Sequence, residues 1–351
     1  MNRLKVHIDS SPLISGHAVR GIGSYTRNLI STLEKNEEIE LVDKNNFPQI
    51  IHYPYFDLFF NTLPIFKKIP TIVTIHDIIP LIFPEKYPAG LKGNLRLLIQ
   101  NQALKNVSAV ITDSINSKKD IIKYLGIPEG KITVTYLAAS PVFNKSASYK
   151  IPDTKYMIQN PYVLYVGDVN YNKNLPRLIE AFSRVLPIVH GSLSLVLVGK
   201  AFEDINLPEV KEIKRLLSEY KIEDKVIMLG FVPEEELVSL YRNACVYCQP
   251  SLYEGFGLQI LEAMACGTPV LTSNVSSCPE VAGNAALLVN PNSVEELSTG
   301  LSKIINEKDF RSTMIERGLK QAAKFSWDRT ARETIAVYRT VINKLTNLQI
   351  N

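Results

Sequence analysis

Short apolar runs alternate with amphipathic helical patterns along most of this 351-residue chain. The runs that predict strands cover 5–9, 71–76, 109–113, 132–136, 162–166, 194–198, 226–229, 245–249, 270–273 and 286–289. The patterns that predict helices cover 25–35, 91–105, 118–125, 175–185 and 234–242, and consecutive helices follow from Ser293. Strands that alternate with helices in this way form parallel sheets covered by helices on both faces, so the predicted class is α/β.

The alternation is interrupted between Pro141 and Pro161 by a stretch rich in Pro, Ser, Lys and Asn. A break of this composition is typical of a linker, and the chain is long enough for two domains. We therefore predict one domain over residues 1–150 and a second over residues 151–330. Each would be a doubly wound parallel sheet that binds ligands outside the carboxyl ends of its strands.

Charge is unevenly distributed along the chain. The net charge is +4, yet residues 1–150 hold 18 Lys and Arg against 12 Asp and Glu, while the remainder holds 21 against 23. A basic first half favours peripheral contact with anionic lipid or phosphate, although a solvated charged surface explains the same excess. The basic residues form no dense run or known motif, which argues against nucleic acid as a partner.

The sequence does not indicate membrane insertion or secretion. No segment approaches the roughly 20 apolar residues that span a bilayer, and residues 1–6 enter a strand pattern without a signal-peptide core. We therefore expect a cytoplasmic protein, either free or held peripherally at the inner membrane face.

Cys245 and Cys248 form a C-x-x-C pair inside a predicted strand. Residues three apart on a strand point to opposite faces, which suits neither a shared metal nor a disulfide. This spacing favours buried free thiols. The aromatic stretch at 53–60, with Phe66, Lys67 and Lys68 after it, suits either an acceptor or membrane-surface patch or a piece of core under a loop.

The segment from Pro250 to Pro291 is the most informative for function. Seven residues separate Glu254 from Glu262, and Gly255-Phe256-Gly257 stands between them before an apolar helical run. Glycines let the backbone approach a ligand closely, and the free N–H groups that begin a helix suit phosphate. A carboxylate one turn into the helix can accept hydrogen bonds from a ribose diol, and one before the turn can accept them from a second sugar. Together these groups predict a nucleotide-sugar site.

The run from Glu254-Gly-Phe-Gly-Leu to Glu262-Ala-Met-Ala-Cys-Gly-Thr-Pro-Val resembles the signature of family 4 glycosyltransferases. The resemblance implies a retaining enzyme of the GT-B fold, in which two Rossmann-like domains face a cleft and a C-terminal helix, here about 330–351, crosses back to the first domain. It implies that Glu254 orients the donor sugar and that Glu262 binds the ribose. The backbone contacts to sugar and phosphate would come from Gly255, Phe256, Gly257 and Leu258.

Two further segments of the second domain carry the resemblance. Asn172 and Lys173 stand where the family has an Arg-Lys pair that stabilises the diphosphate leaving group, so Lys173 is implied to be a catalytic cation. Asn172 at the arginine position removes one positive charge from the diphosphate site, and Lys200 is a candidate to compensate. Phe231 and Val232 lie in a segment similar to the one whose backbone contacts the nucleotide base.

In the first domain, His76 and Asp77 end a predicted strand and look like the His-Asp of this family, where the histidine lies near the donor sugar and the acceptor. A histidine that only caps the strand is the alternative. Residues 20–25 resemble the family's glycine-rich loop near the diphosphate and the acceptor. The resemblance implies donor contacts at Gly21 and Gly23 and an acceptor-side position for Tyr25.

The resemblance thus implies a retaining glycosyltransferase that moves a hexose from a nucleoside diphosphate sugar to a hydroxyl of a glycan or lipid-linked glycan. GDP-mannose is the favoured donor, from likeness to bacterial mannosyl- and rhamnosyltransferases of surface polysaccharide synthesis, and UDP- and dTDP-sugars stay open. The donor is a substrate, and neither a cofactor nor a metal site is predicted. The alternatives are a nucleotide-sugar epimerase or a phosphorylase on the same fold, a glycosidase, and a non-catalytic nucleotide-sugar-binding partner subunit.

Overall fold

A computed structural model of the chain describes residues 3–16, 18, 21–145, 156, 158–189 and 192–350. The chain divides into two compact units, Met1–Ala138 with Phe325–Asn351, and Ala139–Lys324. Each unit contains one six-stranded sheet. Arg20 and much of the predicted linker, residues 146–155 and 157, lie outside the described residues.

The first unit is built on a parallel sheet. Its strands are β1 (Leu4–Ile8), β2 (Ile39–Leu41), β3 (Ile50–Tyr53), β4 (Thr71–Thr74), β5 (Ala109–Thr112) and β6 (Ile132–Val134). Its helices include α1 (Ser11–Ile14), α2 (Gly21–Leu33), α3 (Ile79–Ile82), α4 (Gly90–Lys105) and α5 (Ile115–Leu125). The strand order β2-β1-β3-β4-β5-β6 reverses its direction at β1, as in flavodoxin-like sheets.

The second unit is also built on a parallel sheet. Its strands are β7 (Tyr162–Val166), β8 (Ser194–Val198), β9 (Val226–Leu229), β10 (Val246–Gln249), β11 (Val270–Ser273) and β12 (Leu287–Val289). Its helices are α6 (Leu175–Val185), α7 (Pro208–Glu219), α8 (Glu234–Asn243), α9 (Leu258–Ala265), α10 (Cys278–Ala282), α11 (Val294–Asn306) and α12 (Lys308–Ala322), after which α13 (Trp327–Ile350) belongs to the first unit. The strand order β9-β8-β7-β10-β11-β12 is that of a Rossmann sheet, with its switch point between β7 and β10.

Helical periodicity explains how α6 covers this sheet. Leu178, Phe182 and Val185 recur at helical spacing and are fully buried in the core of the second unit. The sheet beneath is apolar along β8, where all five residues are buried, as expected of a parallel strand covered on both faces. None of the described helices is both long enough and apolar enough to cross a membrane.

The structure confirms the predicted α/β class and both parallel sheets. All four strands predicted in the first unit end one or two residues before the predicted ends, so His76 and Asp113 lie just past β4 and β5. The helix predicted over 25–35 begins at Gly21, which places Gly21 and Gly23 in the first turn of α2 rather than in a loop. The short strand β2 was not predicted, because three residues are too few to establish a pattern.

The structure tests the predictions made for the cysteines and for the aromatic stretch. Cys245 and Cys248 are free as predicted, although Cys245 precedes β10 and is only half-buried, and Cys266 and Cys278 are buried free thiols too. Of the two interpretations of the aromatic stretch, each holds for part of it. Tyr53 and Phe56 are part of the core, whereas Phe60 and Phe66 are 61% and 89% exposed.

A buried polar network joins α13 to the first sheet. His52 on β3 bonds the Tyr338 hydroxyl on α13 through Nδ1 at 2.7 Å and the Thr74 hydroxyl on β4 through Nε2 at 2.8 Å. Tyr25 on α2 bonds the same Thr74 oxygen at 3.0 Å. Burial lowers the pKa of His52 to about 3, so the ring is neutral and uses one nitrogen as donor and the other as acceptor.

Candidate active site

The candidate site of the second unit lies at the carboxyl ends of its strands, where β7 and β10 are neighbours. Leu164 pairs with Tyr247 in a parallel register, so the loops that follow the two strands lie side by side. A doubly wound sheet opens a ligand crevice where its strand order reverses. The two loops at this point carry Lys173 and Glu254, two of the residues predicted from the sequence.

Lys173 and Glu254 form an ion pair. The Nζ atom of Lys173 lies 2.8 Å from Oε1 and 2.9 Å from Oε2 of Glu254, and the two side chains are 17% and 7% exposed. Gln249 Nε2 and Ser251 Oγ also donate to Oε1, at 2.8 Å and 2.6 Å. Donors from the loop after β7, from the end of β10 and from the loop after it thus hold the carboxylate in one orientation. A diphosphate, as a stronger anion, could attract the lysine away from it.

Two asparagines fix the loop after β7. Asn172 is buried and donates from Nδ2 to the Tyr253 carbonyl at 3.0 Å. Asn174 donates from Nδ2 to the carbonyls of Pro250 and Pro291, at 2.8 Å each. These bonds connect the loops that follow β7, β10 and β12. The lysine between the two asparagines is therefore held in place by contacts to the backbone of neighbouring loops.

The turn into α9 requires a glycine. Gly257 precedes the helix with a φ of 91°, a left-handed conformation that favours glycine. Ser277 Oγ donates to the carbonyls of Glu254 and Phe256, at 3.0 Å and 2.9 Å, and so fixes the turn from the other side. The residues with predicted backbone contacts, Gly255, Phe256, Gly257 and Leu258, are all buried at this turn.

Glu262 lies one turn into α9 and is 8% exposed. The Tyr241 hydroxyl donates to its Oε2 at 3.0 Å, and among the described residues this is its side chain's only hydrogen bond. Burial raises the pKa of Glu262 to about 7; the Tyr241 bond opposes this shift and the charge of Glu234 adds to it. A buried carboxyl with one oxygen left for a ligand suits the predicted ribose diol.

The remaining predicted donor contacts follow β8 and β9 along the same edge. Lys200 is exposed directly after β8. After β9, Phe231 is 43% exposed and Val232 is buried, and the Phe231 N–H donates to Glu203 Oε1 at 2.8 Å. Within the described ranges, no group of three or more His, Cys, Asp and Glu residues is placed to hold a metal ion.

In the first unit, His76 pairs with Asp113. Its Nδ1 lies 2.6 Å from Asp113 Oδ2, and its Nε2 lies 3.0 Å from the Pro54 carbonyl oxygen. Both partners are acceptors, so both ring nitrogens donate and the imidazole is charged. Burial alone would lower the pKa of His76, but the Asp113 carboxylate outweighs it and the pKa is raised.

The other predicted residues of the first unit have local contacts. Asp77 Oδ1 accepts the Ile79 N–H at 3.0 Å, at the start of α3. Tyr25 is fully buried and meets the His76 ring edge-on, with centroids 4.8 Å apart. At Gly21 in α2, an added Cβ would meet nothing within 4 Å. Gly23, two residues further along the helix, is buried. The predicted ligand contacts of these residues stay predictions.

Comparison with known proteins gives the family. Residues 150–321 match the family model described as Glycosyl transferases group 1, and residues 24–140 match that of Glycosyltransferase Family 4. The chain is 34% identical over 274 residues to O-antigen chain mannosyltransferase B of Escherichia coli, an alignment that covers 76% of this chain and 70% of that protein. The chain belongs to glycosyltransferase family 4.

Two further proteins resemble this glycosyltransferase. It is 30% identical over 76% of its length to the serotype-specific mannosyltransferase WbdA of Escherichia coli, of which it covers 33%. It shares its architecture with sucrose-phosphate synthase from Thermosynechococcus elongatus, at a TM-score of 0.72 and 19% identity, over 98% of this chain and 100% of that one. At such low identity the likeness shows the fold alone, which is GT-B.

The sequence did not reveal the residues that hold the two charged pairs of this glycosyltransferase. Gln249 and Ser251 fix Glu254, and Asp113 pairs with His76. Gln249 gave a local signal, since it is a polar residue at the end of an otherwise apolar strand run. Asp113 gave none, because its contact with His76 depends on the pairing of β4 with β5.

Proposed function

We propose that this glycosyltransferase transfers mannose from GDP-mannose to a hydroxyl of a glycan or lipid-linked glycan, with retention of anomeric configuration. The observation that carries a nucleotide-sugar site is the ion pair of Lys173 with Glu254, at 2.8 Å, at the switch point of the second sheet. Mannose is supported by the relative named O-antigen chain mannosyltransferase B. UDP- and dTDP-sugars are the alternative donors, and in each case the nucleotide-sugar is a substrate.

In the proposed donor complex, Lys173 turns from Glu254 to the diphosphate. The diphosphate carries more negative charge than one carboxylate, so it competes well for the lysine. Glu254 is then free to accept hydrogen bonds from hydroxyls of the transferred sugar. As the glycosidic bond breaks, negative charge grows on the leaving phosphate, and Lys173 stabilises that charge more in the transition state than before it.

Glu262 and Lys200 complete the proposed donor site. Glu262 accepts hydrogen bonds from the ribose hydroxyls with the oxygen that Tyr241 leaves free. Lys200 supplies the second positive charge that Asn172 does not carry at the diphosphate. His76 acts on the reacting sugar as a fixed positive charge. The reaction is proposed to take place in the cytoplasm, at the inner face of the membrane that holds a lipid-linked acceptor.

Binding of nucleoside diphosphates tests the donor site. A ligand that binds only the folded state raises the melting temperature by mass action. Thermal shifts are measured with GDP, UDP, dTDP and ADP, for the wild type and for Glu262→Ala. The matched control is Glu235→Ala, which changes an exposed glutamate on α8. We expect GDP to give the largest shift, Glu262→Ala to abolish it and Glu235→Ala to keep it. A protein that none of the four diphosphates stabilises would contradict the proposal.

Product analysis tests the reaction. With GDP-mannose and a mannose-ended acceptor, NMR of the product is expected to report an α-linkage, the configuration of the donor. A β-linked product would contradict retention. An isomerised nucleotide-sugar without transfer would favour the epimerase, phosphate-dependent cleavage the phosphorylase, and tight binding without turnover the non-catalytic subunit.

A further inference from the structure

Helix α4 carries an apolar stripe on the side that faces away from its own unit. The buried residues of the helix are Gly93, Gln100, Ala103 and Leu104. Leu91, Leu95 and Leu98 are spaced by four and three residues, so they share one face, which lies opposite the buried residues. They are 91%, 61% and 67% exposed. The outer side of a surface helix is normally polar, so this stripe indicates an interaction surface.

The loop between β3 and β4 packs against α4 and adds exposed aromatic side chains. It carries Phe60 and Phe66, which are 61% and 89% exposed. Gln100 Nε2 donates to the Phe60 carbonyl at 2.7 Å, and the Arg96 guanidinium lies 5.3 Å from the centroid of the Phe60 ring. Lys67 Nζ donates to the Ala103 carbonyl at 2.7 Å. The loop is thus fastened to α4 on the side of Gln100 and Ala103, away from the leucine stripe. The docking surface is defined as Leu91, Leu95 and Leu98.

Cations outnumber anions in α4 and in the loop that packs against it. Residues 54–70 and 90–105 together hold five Lys and Arg and one acid, Asp57, whose Oδ1 accepts the Phe60 N–H at 3.0 Å. Lys68, Lys92, Arg96 and Lys105 are exposed among them. An apolar face with a basic border matches the interface of an anionic bilayer, where apolar side chains enter the acyl boundary and cations meet headgroup phosphates. A protein partner would need acidic groups to match the same border.

We propose that this docking surface binds the surface of an anionic lipid bilayer. The three leucines enter the headgroup and acyl boundary, and the exposed cations bind lipid phosphate. This contact uses residues of the first unit only and does not depend on which donor or acceptor the enzyme uses. It would hold the enzyme at the plane where a lipid-linked acceptor is anchored.

Vesicle flotation with the full chain tests the docking surface. The probes are neutral phosphatidylcholine vesicles and vesicles that also contain anionic phosphatidylglycerol. The apolar variant combines Leu91→Gln, Leu95→Gln and Leu98→Gln. The matched control combines Ile188→Gln and Ile205→Gln, which change isoleucines of the second unit that are 56% and 58% exposed.

We expect the wild type and the control to float with anionic vesicles, and the apolar variant to stay in solution while keeping the wild-type melting temperature. Replacing Lys68, Lys92 and Arg96 by Gln is expected to weaken binding about 100-fold, at roughly tenfold or less per cation. All variants should keep wild-type binding of nucleoside diphosphate, which separates this contact from the donor site.

Three results would overturn the proposal. The first is a wild type that floats with neither kind of vesicle, and the second is an apolar variant that floats as well as the control. The third is self-association of the wild type in sedimentation, lost in the apolar variant, without vesicle binding. That result would assign the surface to a second copy of the chain.

Discussion

Replacing Glu262 by Gln tests the link between its burial and its proposed role. Burial raises the pKa of this carboxyl from 4.5 to about 7, so the folded state binds the proton more tightly than the unfolded state. The resulting stability is fully present below pH 4.5 and is lost as the pH rises through about 7. The whole pKa shift contributes about 3 kcal/mol to the free energy of unfolding at low pH. About 2 kcal/mol of that contribution is lost between about pH 5 and about pH 8.

The Glu262→Gln side chain keeps the size of glutamate and can still accept the Tyr241 hydroxyl, but it does not titrate. Urea unfolding is measured near both pH values for the wild type, Glu262→Gln and the exposed control Glu235→Gln. We expect the stability of Glu262→Gln relative to the wild type to rise by about 2 kcal/mol from about pH 5 to about pH 8, because only the wild type loses its bound proton. Nucleoside diphosphate should meanwhile bind the variant more weakly, because a neutral amide oxygen accepts weaker hydrogen bonds from the ribose hydroxyls than a carboxylate does.

An equal difference in unfolding free energy near both pH values would refute this reasoning. It would mean that Glu262 titrates alike in the folded and unfolded states and is therefore well solvated in the folded enzyme. The same pH-dependent difference in Glu235→Gln would also refute it, because Glu235 is an exposed residue of α8 and the effect is assigned to the burial of Glu262. The comparison of variants cancels the other titrating groups of the chain.

Three other substitutions test the remaining contacts. Lys173→Ala should lower kcat by about 10²–10³-fold with saturating donor, as for loss of one charge-stabilising group; near-normal kcat would remove Lys173 from the mechanism. Asp113→Asn should lower the pKa of His76, because the opposing carboxylate charge is lost while burial stays, and nitrogen NMR titration of the ring measures it; an unchanged pKa would contradict the assigned pairing. Tyr338→Phe should destabilise the first unit by about 1–3 kcal/mol in urea, since His52 keeps a buried ring nitrogen without its partner; wild-type stability would contradict that network.

Local patterns predicted those parts of the fold that local residues determine. The strands at 162–166, 194–198, 226–229 and 270–273 were predicted to the residue, because apolar runs there are bounded by turn residues. The start of α2 was placed four residues too late, because Gly21 and Gly23 lower helix propensity and hide the first turn. Propensity is a weak guide where packing against the rest of a unit stabilises a turn.

The candidate site divides in the same way. Glu254 and Glu262 could be recognised because they lie in one short segment with a glycine turn between them. The pairing of Lys173 with Glu254 joins residues 81 positions apart, and it depends on β7 and β10 being neighbours. Adjacent segments in a sequence reveal a motif, whereas contacts across a sheet require its strand order.

The protonation of His76 bears on the role proposed for this residue at the reacting sugar. Nδ1 donates to Asp113 and Nε2 donates to the Pro54 carbonyl, so neither nitrogen has a lone pair available. For His76 to act as a base, the ring would have to leave one of these partners and give up a proton that Asp113 stabilises. We propose instead a front-face displacement, in which the acceptor attacks on the side that the leaving group departs from. This route would make no such demand, because the leaving phosphate would accept the proton as its own negative charge grows. A histidine held as an imidazolium suits that route, since it supplies constant positive charge and takes no part in proton transfer.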